Sequence, residues 1–266
     1  MTAKSRATIL LVGVLMLAVS VATRAGQGNP VRLPANEVAQ LLGHDRLADR
    51  AAAVFQIQRT PALLSDDGVR TALLGELRRV NRTRMERYAR WEQGELGEPD
   101  EYSGEHDLAV IALVVSLRDV TTIPDLVGAV DTGASVYRAL TEFPDDAVPA
   151  LLSAWTARGA RSERRNTLMT AGILHALETV VASGQPVGPL RQQVVDVTRR
   201  VLEAPEDVTV LRAGMHLALV LRDPELVDVI EAMAADVGEV YRRGIQEPEA
   251  AERIQQLAKE GYAKIR

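Results

Sequence analysis

The sequence predicts an all-α chain with no sheet. Three observations carry that prediction. After residue 34, apolar residues recur every three or four positions, and the breaks between these runs hold Gly, Pro and Asp. Aromatic residues make up only 3% of the composition, while Ala, Leu and Val dominate, which suits close helix-on-helix packing. No stretch alternates apolar and polar residues as a half-buried strand would. The one ambiguous run is 108–117 (LAVIALVVSL), which is rich in β-branched residues. It reads as a buried helix, with a buried strand as the alternative, and it is too short to span a membrane.

The periodicity places helices over 35–42, 45–59, 68–93, 105–118, 123–131, 133–142, 146–157, 162–183, 189–203, 207–222, 224–235 and 247–264. The loops between them are mostly short, which implies antiparallel neighbours.

Residues 1–25 read as a secretory signal peptide. Lys4 and Arg6 precede an apolar run over 7–21, and small residues around Ala22 and Ala25 offer cleavage motifs. The run is only slightly shorter than a spanning helix, so an uncleaved anchor is the alternative. Residues 26–34 (GQGNPVRLP) form a linker, and 35–266 form a single helical-repeat domain. Without residues 1–25 the chain carries 28 basic and 36 acidic side chains. That acidic balance argues against nucleic acid as a partner. There is no cysteine, so neither a disulfide nor a lipid on an N-terminal Cys is available, and stability must come from the hydrophobic core. Three lysines against 28 arginines suggest a GC-rich bacterial genome. The expected location is therefore the periplasm or the outside of a bacterial envelope.

A short phrase recurs. Ile123, Pro124, Leu126 and Val127 are echoed by Val148, Pro149, Leu151 and Leu152, and again by Pro224, Leu226 and Val227. Proline is tolerated in the first turn of a helix, where its missing N–H has no intrahelical partner. Thr122, Asp146 and Asp223 stand where they could cap those turns. Leu126, Val127 and Val130 share one face, as do Leu151, Leu152 and Trp155, and Leu226, Val227 and Ile230. A short helix cannot bury such a stripe alone, but stacked helix pairs can, and the result is a solenoid.

With the intervening partner helix at 134–140 (ASVYRAL), these phrases resemble HEAT-like helical repeats. A fainter copy is Pro61-Ala62-Leu63-Leu64, followed by 69–73. The resemblance is good over 105–157 and diffuse elsewhere. Prolines 61, 124, 149, 189 and 224 are spaced 63, 25, 40 and 35 apart, so no fixed period holds. The expectation is an irregular α-solenoid of antiparallel helix pairs, with a less ordered helical bundle as the alternative. The resemblance implies an extended surface offered to another protein, and it implies no chemistry.

Catalytic motifs are missing from the sequence: it has no Cys nucleophile, G-x-S-x-G elbow, phosphate-binding Gly-rich loop or H-E-x-x-H pair. Glu105, His106 and Asp107 read as a solvated helix start. His175 and His216 lie on apolar helices and read as core histidines; facing each other with an acid nearby, they could form a site. That leaves a metal-assisted hydrolase with a scattered His/Asp/Glu site as the alternative function. Arg78, Arg79, Arg82, Arg84 and Arg87 crowd one long helix, and Arg84 falls on its apolar stripe of Val69, Leu73, Leu77, Val80 and Tyr88. Two readings apply to these arginines. They pair internally with Glu86 and the acidic segment 92–105, or they form a groove for an anion or an acidic partner. Arg158, Arg161, Arg164 and Arg165 sit at a helix start, where Asp145, Asp146 or Glu163 would neutralise them. No cofactor is expected. The expected function is a non-enzymatic, exported interaction scaffold whose partner is another protein, with the membrane a partner only if residues 1–25 are retained.

Overall fold

The computed structural model describes residues 32–92, 104–158, 164–184 and 187–265, less the side chains of 91, 92 and 164–166. The expected signal peptide, most of the linker and most of the acidic segment 92–105 lie outside the described residues. Contacts divide the chain into Met1–Pro34 and a second unit, Ala35–Arg266.

Among the described residues every regular element of the second unit is helical, and no strand occurs. The α-helices are α1 (Ala35–Leu42), α2 (Leu47–Arg59), α3 (Asp67–Glu92), α4 (Gly104–Ser116), α5 (Ile123–Val127), α6 (Ala134–Leu140) and α7 (Pro144–Ala157). They continue as α8 (Arg164–Ala182), α9 (Arg191–Glu203), α10 (Val208–Leu221), α11 (Pro224–Ala235), α12 (Val237–Arg242) and α13 (Pro248–Ile265). Short 3-10 turns cover Pro61–Ser65, Val120–Thr122, Val130–Thr132 and Gly188–Leu190. None of the described helices is long and apolar enough to cross a membrane.

The β-branched run at 108–117 falls mainly within α4, where Val110, Ile111, Leu113 and Val114 are buried. Burial against neighbouring helices outweighs the weak strand preference of its residues. The single helix expected over 123–131 is instead two pieces. Two side chains of α3 take its carbonyls: Asn81 Nδ2 donates to the Asp125 carbonyl at 2.9 Å, and Arg84 Nη2 donates to the Gly128 carbonyl at 2.8 Å. With its last carbonyls capped from outside, α5 stops and a 3-10 turn follows. The six-residue helix α12 was not expected, because one buried residue, Val240, gives no periodicity to read.

The recurring prolines do not hold equivalent places. Pro124 and Pro224 lie in the first turn of α5 and α11, and Asp223 caps α11 by accepting from the Glu225 N–H. Pro149 is interior to α7, which begins a turn earlier at Pro144 with Phe143, not Asp146, before it. Nor does the Thr122 side chain cap α5; it donates to the Asp119 carbonyl at 2.6 Å, while Asp119 caps the preceding turn.

Packing follows chain order. Besides its sequence neighbour, almost every helix rests on the next but one: α1 on α3, α2 on α4, α3 on α5, α4 on α6, α5 on α7, α6 on α8, α8 on α10, α9 on α11 and α11 on α13. The seam between α8 and α10 is the most extensive, and α3 also reaches α8. Small residues allow these approaches. A Cβ on Gly172 of α8 would lie 2.7 Å from the Val130 carbonyl oxygen, so only glycine fits against that turn. The core is mainly aliphatic, with Leu73, Leu77, Ile111, Leu140, Leu151, Ile173, Leu174, Leu177 and Leu202 fully buried. Each such side chain contributes about 1.5–3 kcal/mol of transfer free energy.

Candidate functional site

The five arginines singled out in the sequence separate into two kinds. Arg84 and Arg79 are built into the fold. Arg84 lies on the buried stripe of α3 beside Val80 and Leu77, and its side chain is only 7% exposed against 0% for its partner Asp131. Its Nε donates to Asp131 Oδ2 at 2.9 Å, and its Nη2 to Asp131 Oδ1 at 2.9 Å and to Asn81 Oδ1 at 3.1 Å. Tyr88, one turn along, feels the charge of the same carboxylate. Burial, then the charge of Asp131, pushes the Tyr88 hydroxyl above the usual tyrosine range. Arg79 Nη1 donates to the His44 carbonyl at 2.7 Å and so ties α3 to the end of α1.

The remaining three face water. Arg78 grips Asp125 of α5 with two hydrogen bonds of 2.8 and 2.9 Å, yet its side chain is 65% exposed. Arg82 is four residues further on, so it shares the solvent face of α3 with Arg78. Neither Arg82 nor Glu86 has an ion pair among the described residues, so the expected internal pairing of arginine with Glu86 is not the arrangement found. Arg87 is exposed as well. The partners that do hold this helix, Asp125 and Asp131, are 47 residues away in sequence, which no local spacing rule reaches.

A second polar cluster lies in the N-terminal half of α3. The Glu76 side chain, on α3, is buried, and its Oε1 accepts from Arg50 Nε at 2.8 Å. His106 Nε2 lies 2.7 Å from the same oxygen. The solvated helix start expected at Glu105, His106 and Asp107 is therefore wrong for two of the three. His106 and Asp107 are buried, because α4 turns that edge toward α3 to meet Glu76.

The third cluster is the one the sequence left conditional. His175 of α8 and His216 of α10 do face each other, with ring centroids 6.2 Å apart. Glu178 Oε2 lies 3.0 Å from His175 Nδ1, and the Tyr137 ring of α6 is 6.2 Å from the His175 ring. The two histidines are half-buried rather than enclosed in the core. Burial holds His216 below the ordinary histidine range, against the opposing charge of Glu178. Tyr137 is raised by burial and then by the charges of Asp131 and Glu178. A seam of ionisable groups thus runs from Arg84 and Asp131 through Tyr137 to the histidine pair. Among the described residues, no group of three or more His, Asp or Glu is placed to hold a metal ion.

Arg158 was expected to be neutralised by Asp145, Asp146 or Glu163. It pairs instead with Glu206, at 3.3 and 3.4 Å, and its guanidinium stacks on Trp155. The loop before α10 brings Glu206 across to the end of α7. Arg161 and the side chains of Arg164 and Arg165 lie outside what the structure describes.

No family model, curated protein or solved structure matches the chain. What the fold and its polar clusters define is an all-α protein whose helices pack in chain order.

Proposed function

We propose that the protein is an exported, HEAT-like helical-repeat scaffold that binds another protein in a bacterial cell envelope and carries out no chemistry of its own. The observation that carries this reading is the packing order. A chain in which almost every helix rests on the next but one grows along a line, and such stacks can form an irregular α-solenoid. Arg82, exposed and without an ion pair among the described residues, supplies a cation on that surface suited to a carboxylate of an acidic partner. The test is affinity capture from the envelope fraction of the native host with the wild-type chain and with Arg82→Glu. Saturable retention of one polypeptide, lost on charge reversal, is expected. Retention of nothing above background overturns the scaffold reading.

A second reading, metal-assisted hydrolysis, would need His175, His216 and Glu178 to draw closer together, since no three such side chains among the described residues are placed to hold a metal ion. Stoichiometric transition metal in the purified protein, removed by His216→Gln, would favour it over the scaffold.

A further inference from the structure

Among the described residues the packing order has two gaps, at α7 with α9 and at α10 with the short α12, and the first leaves a pocket. α7 and α9 should meet as next-but-one neighbours, but they form no seam comparable to the others. A pocket of about 460 Å³ lies there, between the end of α7, the end of α9 and the loop before α10. That volume is within the range of small-molecule sites. We propose that this pocket binds an organic carboxylate that carries an apolar group.

The floor is apolar, made by Trp155, Val201 and Val210. The walls carry two guanidiniums and one carboxylate: Arg158, Arg200 and Glu206. Glu206 is already committed. Its Oε1 takes the Arg158 fork, and its Oε2 accepts from Thr170 Oγ1 at 3.3 Å. Arg158 is in turn fixed, stacked on Trp155 and donating from Nη1 to the Trp155 carbonyl at 2.7 Å. Arg200 is different. It is exposed at the rim, and among the described residues no carboxylate lies within ion-pair distance of it. Its neighbour Arg199 shows the contrast, since it is held by Asp196 and Glu225. Among the described residues the pocket therefore keeps one uncompensated positive charge above an apolar floor. One charge matches a monoanion, and the floor rewards an aliphatic or aromatic body on that anion. A free carboxylic acid and the C-terminus of a polypeptide share this chemistry.

The experiment is calorimetric titration of the wild-type chain with octanoate, N-acetyl-leucine and the uncharged N-acetyl-leucinamide. Trp155 emission in a Trp91→Phe chain gives an independent readout, and calorimetry stands alone if that variant does not fold. Saturable binding of both acids with a Kd on the order of 1 mM is expected for ligands of this size. The amide should not bind. Arg200→Glu, a change at an exposed side chain with no partner to lose, should weaken the acids roughly ten- to hundredfold, and Arg200→Lys should keep most of the affinity. A hexapeptide ending in a free leucine carboxylate that binds more tightly than the small acids assigns the site to a polypeptide terminus; weaker binding assigns it to a free acid. Failure of either acid to saturate at about ten times the expected Kd overturns the proposal. So does equal binding by the amide or by Arg200→Glu.

Discussion

Replacing Arg84 by Met should destabilise the protein more than any change on the exposed arginine face. The guanidinium makes four hydrogen bonds at 2.8–3.1 Å, two of them to Asp131, whose side chain has no exposure to water. Methionine fills the space between Val80 and Tyr88 but leaves Asp131 as a buried anion without its guanidinium donors. Removing one partner of a buried pair costs about 3–5 kcal/mol, because the other charge stays desolvated. The same change uncaps the Gly128 carbonyl, which ends α5. For a domain of this size the loss corresponds to a Tm lowered by roughly 6–20 °C. Urea unfolding followed by circular dichroism gives the free energy, and a thermal scan gives the Tm. Asp131→Asn alone should cost a similar amount, since it leaves the Arg84 cation buried with Nη1 already lacking an acceptor. The double variant Arg84→Met with Asp131→Asn should lose clearly less than the sum, because no buried charge remains. If Arg84→Met costs less than about 1 kcal/mol, or if the two single losses add, the pair is not the buried clamp described here.

Two further outcomes follow from single positions. Pro149, exposed in the interior of α7, leaves the Asp145 carbonyl without its helical donor, so Pro149→Ala should raise stability by about 1–3 kcal/mol in urea unfolding, and a loss would contradict its placement inside the helix. The pH dependence should follow His216. Its folded-state pKa is depressed by burial, so between that value and the unfolded value near 6.5 the unfolded chain binds more protons. This contribution to stability is complete above about pH 6.5 and is lost as the pH falls through the folded pKa. Glu178 and His175 on α8 and Arg212 on α10 set the size of the effect, with the carboxylate opposing it and the two basic groups adding to it. His216→Gln should flatten that part of the stability–pH curve, and an unchanged slope would remove the histidine pair as its source.

The helices were legible because their cause is local. Burial of one apolar stripe repeats at 3.6 residues, and every helix long enough to repeat it can be read from sequence, whereas α12, with one buried residue, cannot. Where α5 ends was not legible, since the donors that stop it, Asn81 and Arg84, belong to a helix 44 residues earlier. Arg84 did leave a signal. A cation on an apolar stripe requires a buried anion from elsewhere, and Asp131 is the acidic residue that interrupts the apolar stretch after α5. The recurring phrase misled in an informative way. Because Pro149 lies a turn inside α7 while Pro124 and Pro224 open their helices, the copies cannot superpose as identical units. A stack of unequal units cannot close every seam equally well. The pocket beside Trp155 lies at the far end of that same helix, where α7 and α9 share no seam comparable to the others.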